Sequence, residues 1–223
     1  APWIRNVYMI VSSPSQVPSW LDTSKVKIVY HKDFIPEEFL PTFSSLTIEM
    51  FLGNIEGLSE QFIYGNDDTF FIKKMTPYNF FYNDMKVTDI TTVYVPNIPI
   101  RRFFYDIYKR SSELITGIDC RKLKTFRHCS KPFKKSHFND ILNTYGDIIY
   151  PSITKFRDKK NYSMVQMASL YDIEHSIPQP YEYKGFFIKE DPTYVYDAII
   201  ETRSKNCYEI SVDTLDGDPN EGY

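Results

Sequence analysis

Two adjacent carboxylates set into an apolar stretch constrain this chain more than any other feature. Phe62-Ile63-Tyr64 runs into Gly65-Asn66-Asp67-Asp68, and Phe70-Phe71-Ile72 follows at once. Neighbouring carboxylates repel, and apolar flanks deprive them of water. The arrangement therefore costs free energy unless a cation or strong donors offset it. Phe62-Ile63-Tyr64 reads as a short buried strand, so Asn66, Asp67 and Asp68 fall at its carboxyl end. Ligands gather at that end in open α/β sheets. Oxygen donors of this type suit Mg2+ or Mn2+, which bind phosphate groups as well. The same three residue types also make an ordinary solvated turn.

Around this motif the pattern alternates strand and helix. Val7–Val11 is a continuous apolar run, expected of a strand covered on both faces, and Val26, Ile28 and Tyr30 alternate as in a strand near a sheet edge. Ile48, Phe51, Leu52 and Ile55 form one helical stripe ending near Gly57, with Glu49 off that stripe and expected to be exposed. Phe103, Phe104, Ile107 and Tyr108 predict a second helix. Ser136 reads as the cap of a third carrying Phe138, Ile141, Leu142 and Tyr145, and Asn161 as the cap of a fourth carrying Met164, Val165, Ala168 and Tyr171. Asp191-Pro192 predicts a further helix to about Ser204, before a strand at Tyr208–Val212 that delivers Asp213. There is no internal repeat and no obvious linker. A single compact α/β domain with a helical insertion is the expected architecture.

Composition excludes several classes of function. A net charge of -3 argues against a nucleic-acid binder working by general electrostatic attraction. No apolar run approaches the roughly 18–20 residues of a membrane span. The three cysteines, Cys120, Cys129 and Cys207, are odd in number and lack metal-ligand spacing, which favours a reducing compartment. Ala1-Pro2-Trp3-Ile4-Arg5 is not a signal peptide and has no initiator Met, as at a cleavage point or a boundary within a longer protein.

Two further positions have residue types suited to chemistry. His128 lies in a basic, aromatic stretch with Arg127, Lys131, Lys134 and Lys135 around Pro132-Phe133. A neutral imidazole there can take a proton from a hydroxyl while its neighbours hold phosphate, or it can be a plain surface histidine. Asp213 opens the polar tail Asp213-Thr214-Leu215-Asp216-Gly217-Asp218, which is otherwise a flexible acidic terminus.

Taken in order, these segments resemble a known family. Trp3-Ile4-Arg5, Val17-Pro18-Ser19-Trp20-Leu21, Leu40-Pro41-Thr42-Phe43-Ser44 with Glu49, and Gly57-Leu58-Ser59-Glu60 leading to Phe62–Asp68 are similar to the second conserved region of the Stealth family. That family comprises bacterial capsular and surface polysaccharide phosphotransferases and the catalytic part of the eukaryotic GlcNAc-1-phosphotransferase. The strong resemblance covers about residues 1–75. About 120–178 is similar to the third region, with Ser130 where the family has Pro, and with Phe156-Arg157. About 206–218 resembles the fourth, with Val212-Asp213 where the family reads Asn-Asp. The first region has no counterpart.

The resemblance implies that residues 1–223 are one N-terminally truncated catalytic domain. Its fold would be glycosyltransferase-A-like, a mixed sheet with a helical insertion lacking its first strand region. It further implies transfer of a hexose-1-phosphate from a UDP-sugar to a glycan hydroxyl, leaving a phosphodiester in a capsular or cell-surface polysaccharide. On this reading His128 and Asp68 are catalytic, and Asp67, Asp68 and Asp213 hold Mg2+ or Mn2+. Asn66, Glu49, Arg127 and Arg157 bind substrate. The acceptor would be a lipid-linked glycan, reached by a cytoplasmic bacterial enzyme at the inner face of the membrane, with peripheral membrane association. The isolated fragment would bind donor poorly. Two rivals remain: an ordinary metal-dependent glycosyltransferase that releases UDP, and a non-catalytic carbohydrate-binding fragment using its 18 Tyr and 17 Phe as stacking platforms.

Overall fold

The computed structural model describes residues 2–88, 93–94, 102–117, 124–125, 129–173, 177–178, 184–189 and 207–213. The helix expected from Asp191-Pro192 lies outside them, as do Arg127 and His128. The architecture is mixed α/β, with short helices between small sheets.

The first apolar run forms β1 (Tyr8–Val11), paired in parallel with β2 (Lys27–Tyr30). Among the described residues these two strands pair only with each other, and β1 is half-buried rather than enclosed, being fully buried only at Val11. The predicted stripe splits into α1 (Ser45–Met50) and a 3-10 turn (Leu52–Asn54). Phe51, Leu52 and Ile55 are nevertheless buried as expected. Gly57 follows at φ 72, a left-handed conformation that glycine adopts without steric cost.

The acidic motif joins β3 (Gln61–Tyr64) to β4 (Thr69–Phe71). β5 (Phe81–Tyr82) and β6 (Met85–Thr88) form a hairpin whose turn residues Asn83 and Asp84 both have positive φ, as tight hairpins demand. After β7 (Val93–Tyr94) comes α2 (Arg102–Thr116), then β8 (Lys124–Thr125), antiparallel to β7. β9 (Lys131–Lys134) leads directly into α3 (Lys135–Ile149), and α4 spans Met164–Leu170. The last strands are β10 (Ile177–Pro178), parallel to β6, and β11 (Lys184–Lys189), parallel to β12 (Cys207–Asp213).

Both predicted caps belong to other residues. Ser136 lies within the first turn of α3, and Glu60 reaches across from the approach to β3. Its carboxylate accepts from Ser136 N and Ser136 Oγ, while its carbonyl accepts from Lys135 N at 2.8 Å. A carboxylate at that end also complements the helix dipole. In α4 the cap is Ser163, whose hydroxyl accepts from Gln166 N at 3.2 Å. Asn161, two residues earlier, instead staples the preceding loop.

The main core packs α1, α3 and α4 against β3 and β9. Phe133, Phe138, Ile141, Ile149, Met164 and Met167 are essentially excluded from water. Burying each such side chain is worth about 1.5–3 kcal/mol. Phe62, Phe133 and Phe138 meet with ring centroids 5.4–5.9 Å apart, so much of the aromatic excess serves packing. A smaller cluster of Met75, Phe80 and Cys129 lies under Trp3 and Ile63, with Trp3 Nε1 donating to Met75 O. Phe62-Ile63-Tyr64, expected to be buried, is half-buried along its whole length, and Phe70 and Phe71 are about half exposed. The latter two lie in β4, which occupies the edge of its three-stranded sheet.

Candidate functional site

The turn carrying the carboxylates is closed locally. Thr69 Oγ1 donates to Asn66 O at 2.8 Å and Thr69 N to the same carbonyl at 3.3 Å. Asp67 faces solvent, whereas Asn66 and Asp68 are half-buried. Strand register gathers other segments at this end. β9 runs antiparallel to β3 with Lys131 opposite Tyr64, so the residues before Lys131 run beside those after Tyr64. The approach is close: a Cβ added to Gly65 would lie 2.8 Å from Ser130 Oγ. His128 lies outside the described residues, two positions before Ser130 in the sequence.

The other side of the turn meets β12. That strand is antiparallel to β4 with Ser211 opposite Thr69. Continuing the register sets Val212 and Asp213 beside the segment just before Thr69, which is the Asp67-Asp68 turn. Thus the sheet backbone brings Asp213, Asp67, Asp68 and the start of β9 to one end.

Glu49 joins the same neighbourhood from α1, and here the expectation of an exposed side chain is corrected: Glu49 is buried. It lies off the apolar stripe because its partner is polar. Tyr64, the last residue of β3, donates its hydroxyl hydrogen to Glu49 Oε1 at 2.8 Å. Burial first, then the Glu49 charge and hydrogen bond, and then the charges of Asp67 and Asp68, push the Tyr64 hydroxyl well above its ordinary range. Tyr108 on α2 is pushed up to about 12, mainly by burial and secondly by Glu49, while Arg157 opposes the rise. Glu49, Tyr64, Asp67, Asp68, Tyr108 and Arg157 therefore share one electrostatic field, acidic at the turn with an exposed guanidinium at its margin.

Tyr64 and Tyr108 were not among the sequence candidates. Each closes an apolar run, where an aromatic reads as packing. Only its hydroxyl marks it as a polar anchor as well.

The donor set at the turn is the oxygen-rich kind that hard divalent cations prefer. Among the described residues, no group of three or more His, Cys, Asp and Glu side chains stands at metal-binding spacing. Asp67 and Asp68 supply two carboxylates, and the side chain of Asp213 lies outside the description.

A second polar cluster is separate in kind. His137 in α3, for which the sequence offers no partner, is buried, with Nε2 3.8 Å from Asp172 Oδ2 and its ring 4.9 Å from that of Tyr171. Lys86 of β6 is buried too, and its ammonium donates to Ala168 O and Tyr171 O at the end of α4. Burial, then the Lys86 charge, pushes His137 down to about 4. Burial likewise pushes Lys86 down to about 8. This cluster ties α3, α4 and β6 together.

No helix among the described residues is long and apolar enough to cross a membrane. Compared with known proteins, residues 1–89 match Stealth protein CR2, conserved region 2. The chain is 34% identical over 163 residues to the exopolysaccharide phosphotransferase cps2G of Lactiplantibacillus plantarum, an alignment covering 71% of this chain and 46% of that protein. It is 42% identical over 161 residues to the capsular polysaccharide phosphotransferase WcwK of Streptococcus pneumoniae, covering 71% and 47%. With a capsular polysaccharide phosphotransferase of Neisseria meningitidis serogroup B it shares 32% over 168 residues, covering 74% and 41%. The chain thus spans about half the length of the curated relatives it matches.

Proposed function

The chain belongs to the Stealth family, and on that premise we propose that the protein transfers a sugar-1-phosphate from a UDP-sugar to a glycan hydroxyl during capsular or surface polysaccharide synthesis. The observation that carries this reading is the strand pairing on either side of the acidic turn: β3 leads into it beside the start of β9, and β4 leaves it beside the end of β12, which closes on Asp213.

In the proposed reaction the acceptor oxygen attacks the β-phosphorus of the UDP-sugar. A new P–O bond forms, and the bond from that phosphorus to the oxygen bridging the α-phosphorus breaks. UMP departs with the bonding pair, the sugar keeps its anomeric bond, and the hydroxyl proton passes to the His128 imidazole. Arg127 and Arg157 suit the phosphate oxygens, since a guanidinium pairs with them in bidentate fashion. Asn66 and Glu49 are the further substrate-binding groups. Mg2+ or Mn2+, held by Asp67, Asp68 and Asp213, would neutralise phosphate charge. A glycosyltransferase-A-like fold fits a mixed α/β chain with its chemistry at strand ends, and the proposed setting is the bacterial cytoplasm with a lipid-linked acceptor at the inner membrane face.

The test is the leaving group. Chromatography of reactions run with the protein at its full natural length is expected to show UMP formed in step with product. UDP in its place would establish ordinary glycosyl transfer and end this proposal. His128→Ala and Asp67→Ala are each expected to slow UMP release by about 10²–10⁴. Unchanged turnover in both would remove the assigned site.

A further inference from the structure

Phe43 and Phe156 stand out among the exposed side chains. Both are large, apolar and nearly two-thirds accessible, at 64% and 62%. They are not stray residues. Their rings stack at 5.4 Å with planes 14° apart, and Lys155 Nζ lies over both, 5.4 Å and 6.0 Å from the ring centres.

The pair is held from beneath. Phe43 N donates to Lys155 O at 2.8 Å, Thr154 Oγ1 donates to Phe156 O at 2.7 Å, and Thr47 Oγ1 donates to Thr154 O at 3.3 Å. The buried Asn161 side chain ties the loop on both sides of Phe156 through Ser152, Thr154 and Asp158. Arg110 of α2 anchors it again at Lys159 O. Two phenylalanines are thus kept facing water on a braced loop, where collapse against the surface would hide their apolar area.

The loop that carries Phe156 is cationic. Lys155, Arg157, Lys159 and Lys160 are all exposed within six consecutive residues, and Asp158 is the single carboxylate among them. This local excess sits on a chain whose net charge is -3. Aromatic rings ringed by lysine and arginine are the pairing used by proteins that rest in a bilayer interface. The rings enter the headgroup boundary while the cations meet anionic lipid, and either element alone binds weakly.

We infer that the Phe43–Phe156 pair and its Lys155, Lys159 and Lys160 rim form a docking surface for an anionic phospholipid bilayer. The inference deepens the proposed function, because a lipid-linked acceptor lies at such a surface. Phe43 is next to Ser44 at the start of the helix bearing Glu49, and Phe156 is next to Arg157. A bilayer engaged here would therefore lie against the margin of the candidate site.

The experiment is vesicle flotation of the chain without nucleotide, so that it reads membrane binding independently of transfer. The chain is expected to float with phosphatidylcholine vesicles containing phosphatidylglycerol and not with phosphatidylcholine alone. Raising salt from about 0.1 M to about 1 M should release it, since the screening length falls from about 10 Å to about 3 Å. Phe43→Ser with Phe156→Ser, and separately Lys155→Glu with Lys159→Glu and Lys160→Glu, should each weaken binding at least tenfold at an unchanged circular-dichroism spectrum. The lysines are exposed, so the second variant keeps the test open if the first fails to fold.

Absence of flotation with anionic vesicles, equal flotation with neutral ones, or anionic binding that both variants retain would each overturn the inference. So would loss of soluble-glycan binding in the variants with vesicle binding intact, which would make the patch a saccharide platform. None of these outcomes touches UMP release, which tests the phosphotransfer proposal separately.

Discussion

The Tyr64 hydroxyl donates a 2.8 Å hydrogen bond to the Glu49 carboxylate, tying the last residue of β3 to the buried face of α1. The bond does two things at once. It gives a buried charge one of its partners, and it fixes the strand end from which the acidic turn departs.

Tyr64→Phe keeps the ring and removes the donor. Hydrogen bonds to charged groups are worth about 1.5–3 kcal/mol, so the unfolding free energy should fall by that amount, read as a lower urea midpoint with the slope unchanged. If Glu49 binds substrate, turnover should fall as well, because Glu49 loses the hydroxyl that orients it. A midpoint equal to that of the parent would show that the bond carries no net stability.

Gly65→Ala should injure the site more than the fold. Its Cβ would press on Ser130 Oγ at 2.8 Å, so the buried serine hydroxyl beside the turn must move from its present position. Overpacking of this kind costs about 1–3 kcal/mol. Adding Ser130→Ala removes the clashing oxygen, leaving the Ser130 Cβ at 3.8 Å from the new atom. A double-mutant cycle should therefore return most of the loss. Additive losses would show that the contact is not what limits the turn.

Acid should destabilise the chain through His137. The imidazole is pushed down to about 4 in the folded chain, against 6.5 as its ordinary value. Between these values the unfolded chain binds a proton that the folded chain refuses. Stability is complete above about pH 6.5 and is lost as pH falls towards 4, by on the order of 3 kcal/mol. The groups acting on the ring are Lys86 and Lys134, which lower it, and Asp172 and Glu60, which raise it. Lys86→Met should move the His137 titration upward in an NMR pH series, and an unmoved titration would dismiss Lys86 as its main charged neighbour.

Asn161→Ala should loosen the loop that carries Phe156 and Arg157. The buried amide accepts from Asp158 N at 2.7 Å and donates to Ser152 O and to Thr154 Oγ1. Losing these bonds should cost about 2–3 kcal/mol in thermal or urea unfolding. If Arg157 binds donor phosphate, KM for the UDP-sugar should rise with it. Asn161→Asp keeps the bond from Asp158 N and should recover part of the stability.

Much of the architecture was legible in residue order. The stripe Ile48–Ile55, the runs that became β1, β3 and β12, and the turn holding Asp67 and Asp68 all follow from local periodicity and composition. The failures share a cause. Glu49 was expected to be exposed because its partner is Tyr64, on another element. Ser136 was expected to cap α3, but the capping carboxylate is that of Glu60, remote in sequence. Periodicity reports which face of an element is apolar, and it carries no record of what approaches that face from elsewhere.

The pairing of β3 with β9 has a consequence for when the site comes into being. Those strands enclose β4 to β8 and all of α2 between them, so their ladder closes only after a long stretch of intervening chain has been made. Closing so large a loop is slow and entropically costly, and local hairpins such as β5–β6 form first. Until it closes, the acidic turn and the basic segment ahead of β9 belong to separate pieces of chain. The strand end proposed as the site is thus assembled with the main core and is not preformed in any local segment.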